Sequence, residues 1–156
     1  WHVQSRLAQA GCQIDELNGA LTPAIHLSTT FERDADGGYE RGFVYSRQNN
    51  PTRALLERTV ASLEGGSEAL SFASGMAAVN ATLHALLKPG SHVALADDCY
   101  HGTATLLAGP LARWGVTYAR VDMSDSAAVQ SALDGGASLL WCETPSNPMC
   151  KVTDIE

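Results

Sequence analysis

The chain has little positive charge, few aromatic side chains and no cysteines at the paired spacing of a metal site. Lysine and arginine together count 10 against 17 aspartates and glutamates, which gives a formal net charge of -7 at pH 7. Since nucleic-acid binding depends on clustered cations, this balance argues against nucleic acid as the main partner, although it allows a local site for one small anion. The four cysteines lack the C-x-x-C spacing of metal sites, and the histidines lack a ligand spacing, so we expect no metal.

Long apolar runs and the common nucleotide-binding motifs are absent too. No apolar run approaches the ~18 residues that span a bilayer, and the first residues lack the basic-then-apolar order of a signal peptide. Scattered thiols fit a reducing cytosol, so we expect a cytoplasmic protein without a membrane partner. The absence of G-x-G-x-x-G, G-x-x-x-x-G-K-[ST] and G-x-S-x-G leaves nucleotide binding by those routes and α/β-hydrolase chemistry without support.

What the sequence does contain is an α/β pattern preceded by a different kind of segment. With 156 residues and 45% apolar side chains, the chain is long and apolar enough for one domain with a core. Residues 1–50 are polar, carry three glycines between positions 37 and 42, and hold one short apolar run at 24–27. We predict that they form an arm, which packs mainly on another surface because it cannot build its own core.

From residue 50 onward, helix and strand patterns alternate. Asn50 is a candidate N-cap, Pro51 suits the first helical position, and Gly65 and Gly66 would end the helix. The patterns predict strands at 68–73, 92–96, 116–121 and 138–142, and helices at 75–87, at 103–113 with a kink or split at Gly109-Pro110, and from the cap Ser124 to 133. Such alternation implies an α/β fold with a parallel sheet covered on both faces, and with ligands beyond the carboxyl ends of the strands.

Two strand ends carry the first candidate site residues. Ser74, Gly75 and Met76 stand where a strand turns into a helix, so their free backbone N–H groups could bind an anion; alternatively, Ser74 is a plain N-cap and Gly75 a tight turn. Tyr100 follows a strand that ends in two aspartates. Its ring could stack on a planar ligand and its hydroxyl could move a proton, or it could be a partly buried tyrosine with a hydrogen-bonded tip.

A third strand end and a segment of the arm carry the remaining candidates. Asn147, in a proline-rich turn, could present its amide to a ligand, although an asparagine there is also ordinary turn chemistry. Tyr45 and Arg47 could bind a phosphate by charge-assisted hydrogen bonds together with Arg53, whose position in the first helical turn is equally compatible with a solvated side chain.

Six segments, taken in order, resemble one enzyme family. They lie at 21–31, 45–53, 63–66, 74–78, 98–100 and 143–148. The family is that of the Cys/Met-metabolism pyridoxal-phosphate enzymes, which includes cystathionine γ-synthase and γ-lyase, and the resemblance covers nearly the whole chain as the N-terminal portion of such an enzyme. It implies the start of the type I pyridoxal-phosphate transferase fold, a mostly parallel sheet flanked by helices and preceded by an extended N-terminal arm.

The resemblance implies pyridoxal 5'-phosphate as cofactor and gives the candidates of the second half specific roles. The backbone amides of Gly75 and Met76, with Ser74 nearby, would bind the phosphate. Tyr100 is similar to the residue that stacks on the pyridine ring and assists proton transfer, which makes it the catalytic candidate. Asn147 is similar to the asparagine near the cofactor's phenolic oxygen and the substrate carboxylate.

The resemblance also implies an assembly of several chains. Tyr45 and Arg47 match residues that reach across a dimer interface to the neighbour's phosphate, and Tyr45 would also contact the substrate. Residues 1–50 would then be a dimer-crossing arm, and residues 51–156 the N-terminal part of a truncated cofactor-binding domain. The expected partners are a small amino-acid substrate and identical subunits, in a homodimer or homotetramer with shared active sites.

The reaction implied by the resemblance is γ-elimination or γ-replacement on sulfur amino acids or activated homoserine. Gly102 stands where methionine γ-lyases typically carry a cysteine, which favours cystathionine γ-synthase or γ-lyase. The alternatives are an O-acetylhomoserine sulfhydrylase, a methionine γ-lyase, or a truncated non-catalytic relative that acts as a partner subunit. The resemblance implies that the family's Schiff-base lysine would lie beyond Glu156, since neither Lys88 nor Lys151 stands in its Ser-x-Thr-Lys context. We therefore expect an active full-length parent and no activity from these 156 residues alone.

Overall fold

The computed structural model describes residues 2–155 in two compact units, one ending at Ser71 and one beginning at Phe72. The first unit contains helix α1, Val3–Ala8, helix α2, Pro51–Glu64, and an isolated antiparallel bridge between Thr30 and Tyr45. Of its described residues, only Ala54 and Ala61 are buried. Most of this unit therefore consists of irregular backbone with exposed side chains.

Helix α2 begins and ends as the sequence predicts. The side chain of Asn50 accepts a hydrogen bond from the Thr52 amide at 2.9 Å, Pro51 is the first helical residue, and Gly65 ends the helix in the left-handed conformation at φ 70°. Glycine adopts this conformation without the steric cost that a Cβ imposes. The predicted helix is confirmed because these end signals are local and act within one turn.

The strand predicted at 68–73 is wrong. The structure has irregular backbone there, and the carboxylate of Glu57 accepts hydrogen bonds from both the amide and the hydroxyl of Ser71 at 2.9 Å. A short apolar run becomes a strand only when a neighbouring strand offers its backbone groups. No strand among residues 2–155 pairs with this run, so a side chain satisfies the Ser71 amide instead.

The second unit is built around a three-stranded parallel sheet. The strands are β1, His92–Ala96, β2, Thr117–Val121, and β3, Leu139–Trp141, in the spatial order β2-β1-β3. Val93 lies opposite both Tyr118 of β2 and Leu139 of β3. The central strand is the most deeply buried, with Val93, Ala94 and Leu95 fully inaccessible to solvent. These strands confirm the predicted parallel α/β architecture.

Helices connect the strands and cover the sheet. Helix α3 spans Gly75–Leu86, α4 spans His101–Leu106, and α5 spans Ser126–Asp134. The core packs side chains from α3 and from the segment after α4 against the sheet, notably Leu83, Leu107 and Leu111. None of the helices in residues 2–155 combines the length and the apolar character needed to cross a bilayer.

The end of α4 and the start of α5 differ in detail from what the sequence predicts. The split predicted at Gly109-Pro110 takes the form of a π-helical segment, Leu107–Leu111, which continues α4. Pro110 has no N–H for the normal bond one turn back, so the helix locally widens. The predicted cap Ser124 is wrong: Asp125 caps α5 by accepting bonds from two amides, whereas the Ser124 hydroxyl donates to Asp122 at 2.6 Å.

Candidate functional site

The candidate site is a cavity of about 390 Å³ in the second unit. It lies where the start of α3, the turn after β1 and the carboxyl end of β3 come together, as expected for a ligand site of a parallel sheet. Seven residues line it: Ser74, Gly75, Met76, Val79, Tyr100, Thr103 and Glu143. The structure therefore brings four of the predicted site residues, Ser74, Gly75, Met76 and Tyr100, to one cavity.

The start of α3 offers free backbone donors to this cavity. The Ser74 hydroxyl accepts a hydrogen bond from the Ala77 amide at 3.1 Å, and the Ser74 carbonyl accepts one from Ala78 at 3.1 Å. No acceptor among residues 2–155 takes the amides of Gly75 and Met76, which are the first two of the helix. A Cβ at Gly75 would have no atom within 4 Å, so open space adjoins these donors. Two free amides at the positive end of a helix form a binding site for an anion.

Tyr100 lies at the edge of the cavity as the N-cap residue of α4, with its side chain about half exposed. Its backbone amide donates a hydrogen bond to Oε2 of Glu143 at 2.8 Å. The other oxygen, Oε1, accepts from the indole N–H of Trp141 at 3.0 Å and from the Thr103 hydroxyl at 3.4 Å. This carboxylate therefore joins the end of β3 to the start of α4.

The sequence pattern predicts no role for Glu143. The residue is part of one of the segments that resemble the family, and a carboxylate two residues after an apolar strand is a signal for a group at the ligand edge of the sheet. Its donors come from positions 100, 103 and 141, so the sequence pattern does not connect them.

Asn147 is not brought to the cavity lining. It lies in the turn after β3, between two cis prolyl bonds at Thr144-Pro145 and Asn147-Pro148, and its side chain is exposed. The buried neighbour Ser146 closes this turn, because its hydroxyl accepts a hydrogen bond from the amide of Lys151 at 3.1 Å.

Tyr45 and Arg47 belong to the first unit and contact each other. The guanidinium carbon of Arg47 lies 4.6 Å from the centre of the Tyr45 ring, a cation–π contact. Between them, the Ser46 amide donates to the Thr29 carbonyl at 2.8 Å, and the Ser46 hydroxyl donates to the Ser28 carbonyl. The hydrogen bonds of Ser46 therefore fix the backbone that carries both side chains.

Neither lysine of the chain lines the cavity. Lys88 follows α3 in the loop before β1. Lys151 forms ion pairs with Asp122 at 2.6 Å and Asp97 at 3.6 Å. The hydrogen bond with Lys151 is the main cause that holds the pKa of Asp122 well below its ordinary value, and the same bond raises the pKa of Lys151. Lys151 is thus engaged in a salt-bridge cluster at the ends of β1 and β2.

Comparison with known proteins shows which family the chain belongs to. The chain matches the family model for the Cys/Met metabolism PLP-dependent enzyme over residues 4–156. The chain belongs to this family. It is 43% identical over 151 residues to the cystathionine γ-synthase of Mycobacterium tuberculosis, across 97% of the chain and 39% of that protein. It is 40% identical over 155 residues to the cystathionine β-lyase of Coxiella burnetii, across 99% of the chain and 40% of that protein.

The structural comparison agrees with the sequence comparison. The crystal structure of metB from Corynebacterium glutamicum superposes with a TM-score of 0.93 at 39% identity, across 99% of this chain and 40% of that one. The predicted type I pyridoxal-phosphate fold is confirmed. The match covers the N-terminal portion of these relatives, so the chain spans about two-fifths of their length.

Pyridoxal phosphate is the cofactor of this family, and the cavity has the chemistry to hold it. A phosphate carries several acceptor oxygens and no competing donor, which matches the two free amides at Gly75 and Met76. Open space at Gly75 leaves room for it, and the ring of Tyr100 offers an aromatic surface in the same cavity.

Proposed function

We propose that a full-length protein containing this chain uses pyridoxal phosphate for γ-elimination or γ-replacement on sulfur amino acids or activated homoserine. The observation that carries the proposal is the pair of free amides at the start of α3, in one cavity with Tyr100. When bound, pyridoxal phosphate supplies an electron sink for negative charge at the substrate's α-carbon.

The residues of this chain bind the cofactor and move a proton. The amides of Gly75 and Met76 bind the phosphate, while Ser74 holds the first turn of α3 in the geometry that leaves those amides free. Tyr100 stacks on the cofactor ring, and its hydroxyl accepts and returns a proton near the substrate amine. Asn147 is proposed, by similarity to the family, to contact the cofactor's phenolic oxygen and the substrate carboxylate.

The arm is proposed to complete the site of a neighbouring subunit. Tyr45 and Arg47 would bind the partner's phosphate, with Tyr45 also close to the substrate, so residues 1–50 cross a dimer and residues 51–156 belong to the cofactor-binding domain. The small number of buried side chains in the first unit and the exposure of Leu17 and Leu27, at 93% and 90%, support an arm that packs on another surface.

Cystathionine β-elimination is the second candidate, because a relative of 40% identity is a cystathionine β-lyase. The two reactions are separated by their products from cystathionine. With uptake of one water, γ-elimination releases cysteine, a four-carbon 2-oxo acid and ammonia, whereas β-elimination releases homocysteine, pyruvate and ammonia. A product analysis of the full-length enzyme with cystathionine, and with an activated homoserine plus cysteine, distinguishes elimination at either carbon from replacement.

The lysine that bonds covalently to the cofactor is proposed to be neither Lys88 nor Lys151, since neither lines the cavity and Lys151 is paired with two carboxylates. The test is an absorbance spectrum of the full-length protein with pyridoxal phosphate, followed by borohydride reduction and peptide mapping. We expect a band near the visible edge and a labelled lysine outside these 156 residues. A folded protein with no band and no label would instead be a non-catalytic relative.

A further inference from the structure

Hydrogen bonds of the Tyr100 backbone fix this residue at the cavity. Although Tyr100 is the N-cap residue of α4, its side chain makes no capping hydrogen bond. Its carbonyl accepts a bond from the Thr103 amide at 3.0 Å within the helical turn, and its amide donates to Glu143 at 2.8 Å. The bond to Glu143 is therefore the link that ties this residue to the sheet.

Glu143 also accepts hydrogen bonds from two further side chains. Both of its oxygens are used: Oε2 takes the Tyr100 amide, and Oε1 takes the indole of Trp141 and the hydroxyl of Thr103. Hydrogen bonds to a carboxylate are stronger than neutral ones. A glutamine at this position has one acceptor oxygen, so one of these two groups of donors would face an NH₂ group.

The ring of Tyr100 lies so near Gly102 that a side chain at position 102 would have no room. A Cβ at position 102 would lie 2.7 Å from Cε1 of Tyr100 and 2.7 Å from Sδ of Met76. The backbone of Gly102 is not in the left-handed region, so its conformation does not require glycine. The glycine is needed here because a side chain would have no room. Any side chain at position 102 would push the ring of Tyr100 or the side chain of Met76, and both residues line the cavity.

We propose that Glu143 and Gly102 are positioning residues for Tyr100: Glu143 fixes its backbone, and Gly102 lets its ring settle against Met76 at the wall of the cavity. The inference rests on the proposed function, because the ring must be placed for a bound cofactor. Neither residue is proposed to touch the reacting atoms. Both act through the orientation of Tyr100.

The test uses the full-length holoenzyme with the variants Glu143→Gln and Gly102→Ala. Each is made alone and in a Tyr100→Ala background, which removes both the ring and the hydroxyl. The matched controls are Glu64→Gln, at the exposed end of α2, and Gly109→Ala, where a Cβ has no atom within 4 Å. The readouts are kcat, the affinity of the apoprotein for pyridoxal phosphate, and the circular dichroism of the bound cofactor.

We expect each variant to lower kcat about tenfold or more and to change the cofactor's dichroic band. Glu143→Gln loses a charge-assisted hydrogen bond, whereas the Cβ of Gly102→Ala displaces the Tyr100 ring or the Met76 side chain. In the Tyr100→Ala background the additional loss in kcat should shrink to about twofold, since residues that act through one group are not additive. The controls should match the wild type. The conservative Glu143→Gln variant keeps the test available should Gly102→Ala fail to fold.

Three outcomes overturn the inference, and only the last of them also overturns the proposed function. Equal losses in both backgrounds, or variants that behave like their controls, would show that Glu143 and Gly102 do not act through Tyr100, while the proposed function stands. A folded wild-type protein that takes up no pyridoxal phosphate and shows no band would overturn the proposed function and, with it, the inference.

Discussion

At the residue scale, anion binding in the cavity depends on the absence of a side chain at Gly75. The two free amides at the start of α3 are usable only if a phosphate can approach them, and the side of Gly75 where a Cβ would stand is open space. An alanine would meet no protein atom there, yet it would occupy room that the proposed phosphate needs. A substitution at Gly75 should therefore affect cofactor binding without lowering the stability of the fold.

We predict that Gly75→Ala weakens the binding of pyridoxal phosphate by the full-length apoprotein about tenfold, or about 1.4 kcal/mol. Its free energy of unfolding should stay the same or rise by up to about 1 kcal/mol, because alanine is the better helix former. Cofactor titration and thermal unfolding of the apoprotein measure the two effects. Asn80→Ala, on the exposed side of the same helix, is the control. An unchanged dissociation constant would place the phosphate elsewhere.

At the scale of elements, local signals explain the ends of α2 and fail at α5. Asn50, Pro51 and Gly65 act on their own helix within a turn, and the sequence identifies all three correctly. Ser124 and Asp125 are both good capping residues, so residue type does not choose between them. The choice follows from β2, since its end brings Asp122 to the hydroxyl of Ser124 and leaves the helix amides to Asp125.

We predict that Asp125→Ala lowers the free energy of unfolding by about 1 kcal/mol, because the amides of Ala127 and Ala128 lose their acceptor. Ser124→Ala should cost less than about 0.5 kcal/mol, since its bonds to Asp122 are exposed. Urea unfolding of the two variants beside the wild type measures both. If Ser124→Ala lowered the free energy of unfolding more than Asp125→Ala, Ser124 would be the N-cap of α5, as the sequence pattern predicts.

The strand predicted at 68–73 fails for a reason that also belongs to elements. Its residues have the composition of a short buried strand, but strand formation depends on a neighbour that a local pattern does not contain. In the structure the amide of Ser71 is taken by Glu57. The three strands that do form pair with each other, with β1 in the centre.

At the scale of the whole molecule, the proposed function implies that residues of two subunits form each active site. The cavity of the second unit supplies Tyr100 and the amides of α3, whereas Tyr45 and Arg47 of the first unit are proposed to act on a partner's phosphate. Two defects placed in these two groups of residues should therefore complement each other when different subunits carry them.

We predict that full-length Arg47→Ala and Tyr100→Phe variants are each strongly impaired, and that their co-expression restores about one quarter of wild-type activity. Random pairing makes half of the dimers mixed, and each mixed dimer contains one site of two without a defect. Mixed dimers purified through two different tags should therefore have about half of the wild-type activity, and they are assayed beside the two parents. The double variant, with both changes in one chain, is the control and should gain nothing when co-expressed with itself. Absence of recovery in mixed dimers would contradict a site shared between subunits.

The sequence by itself determined the class of fold, the ends of α2, the start of α3 and the family, because these depend on periodicity, on capping within one turn and on ordered motifs. Only the tertiary structure decided that Glu143 joins Tyr100 to the sheet, that Gly102 lies against the ring and Met76, and that Asp125 caps α5. Those contacts arise where the ends of separate strands and helices meet, and the donors, acceptors and free space found there depend on packing between distant parts of the chain.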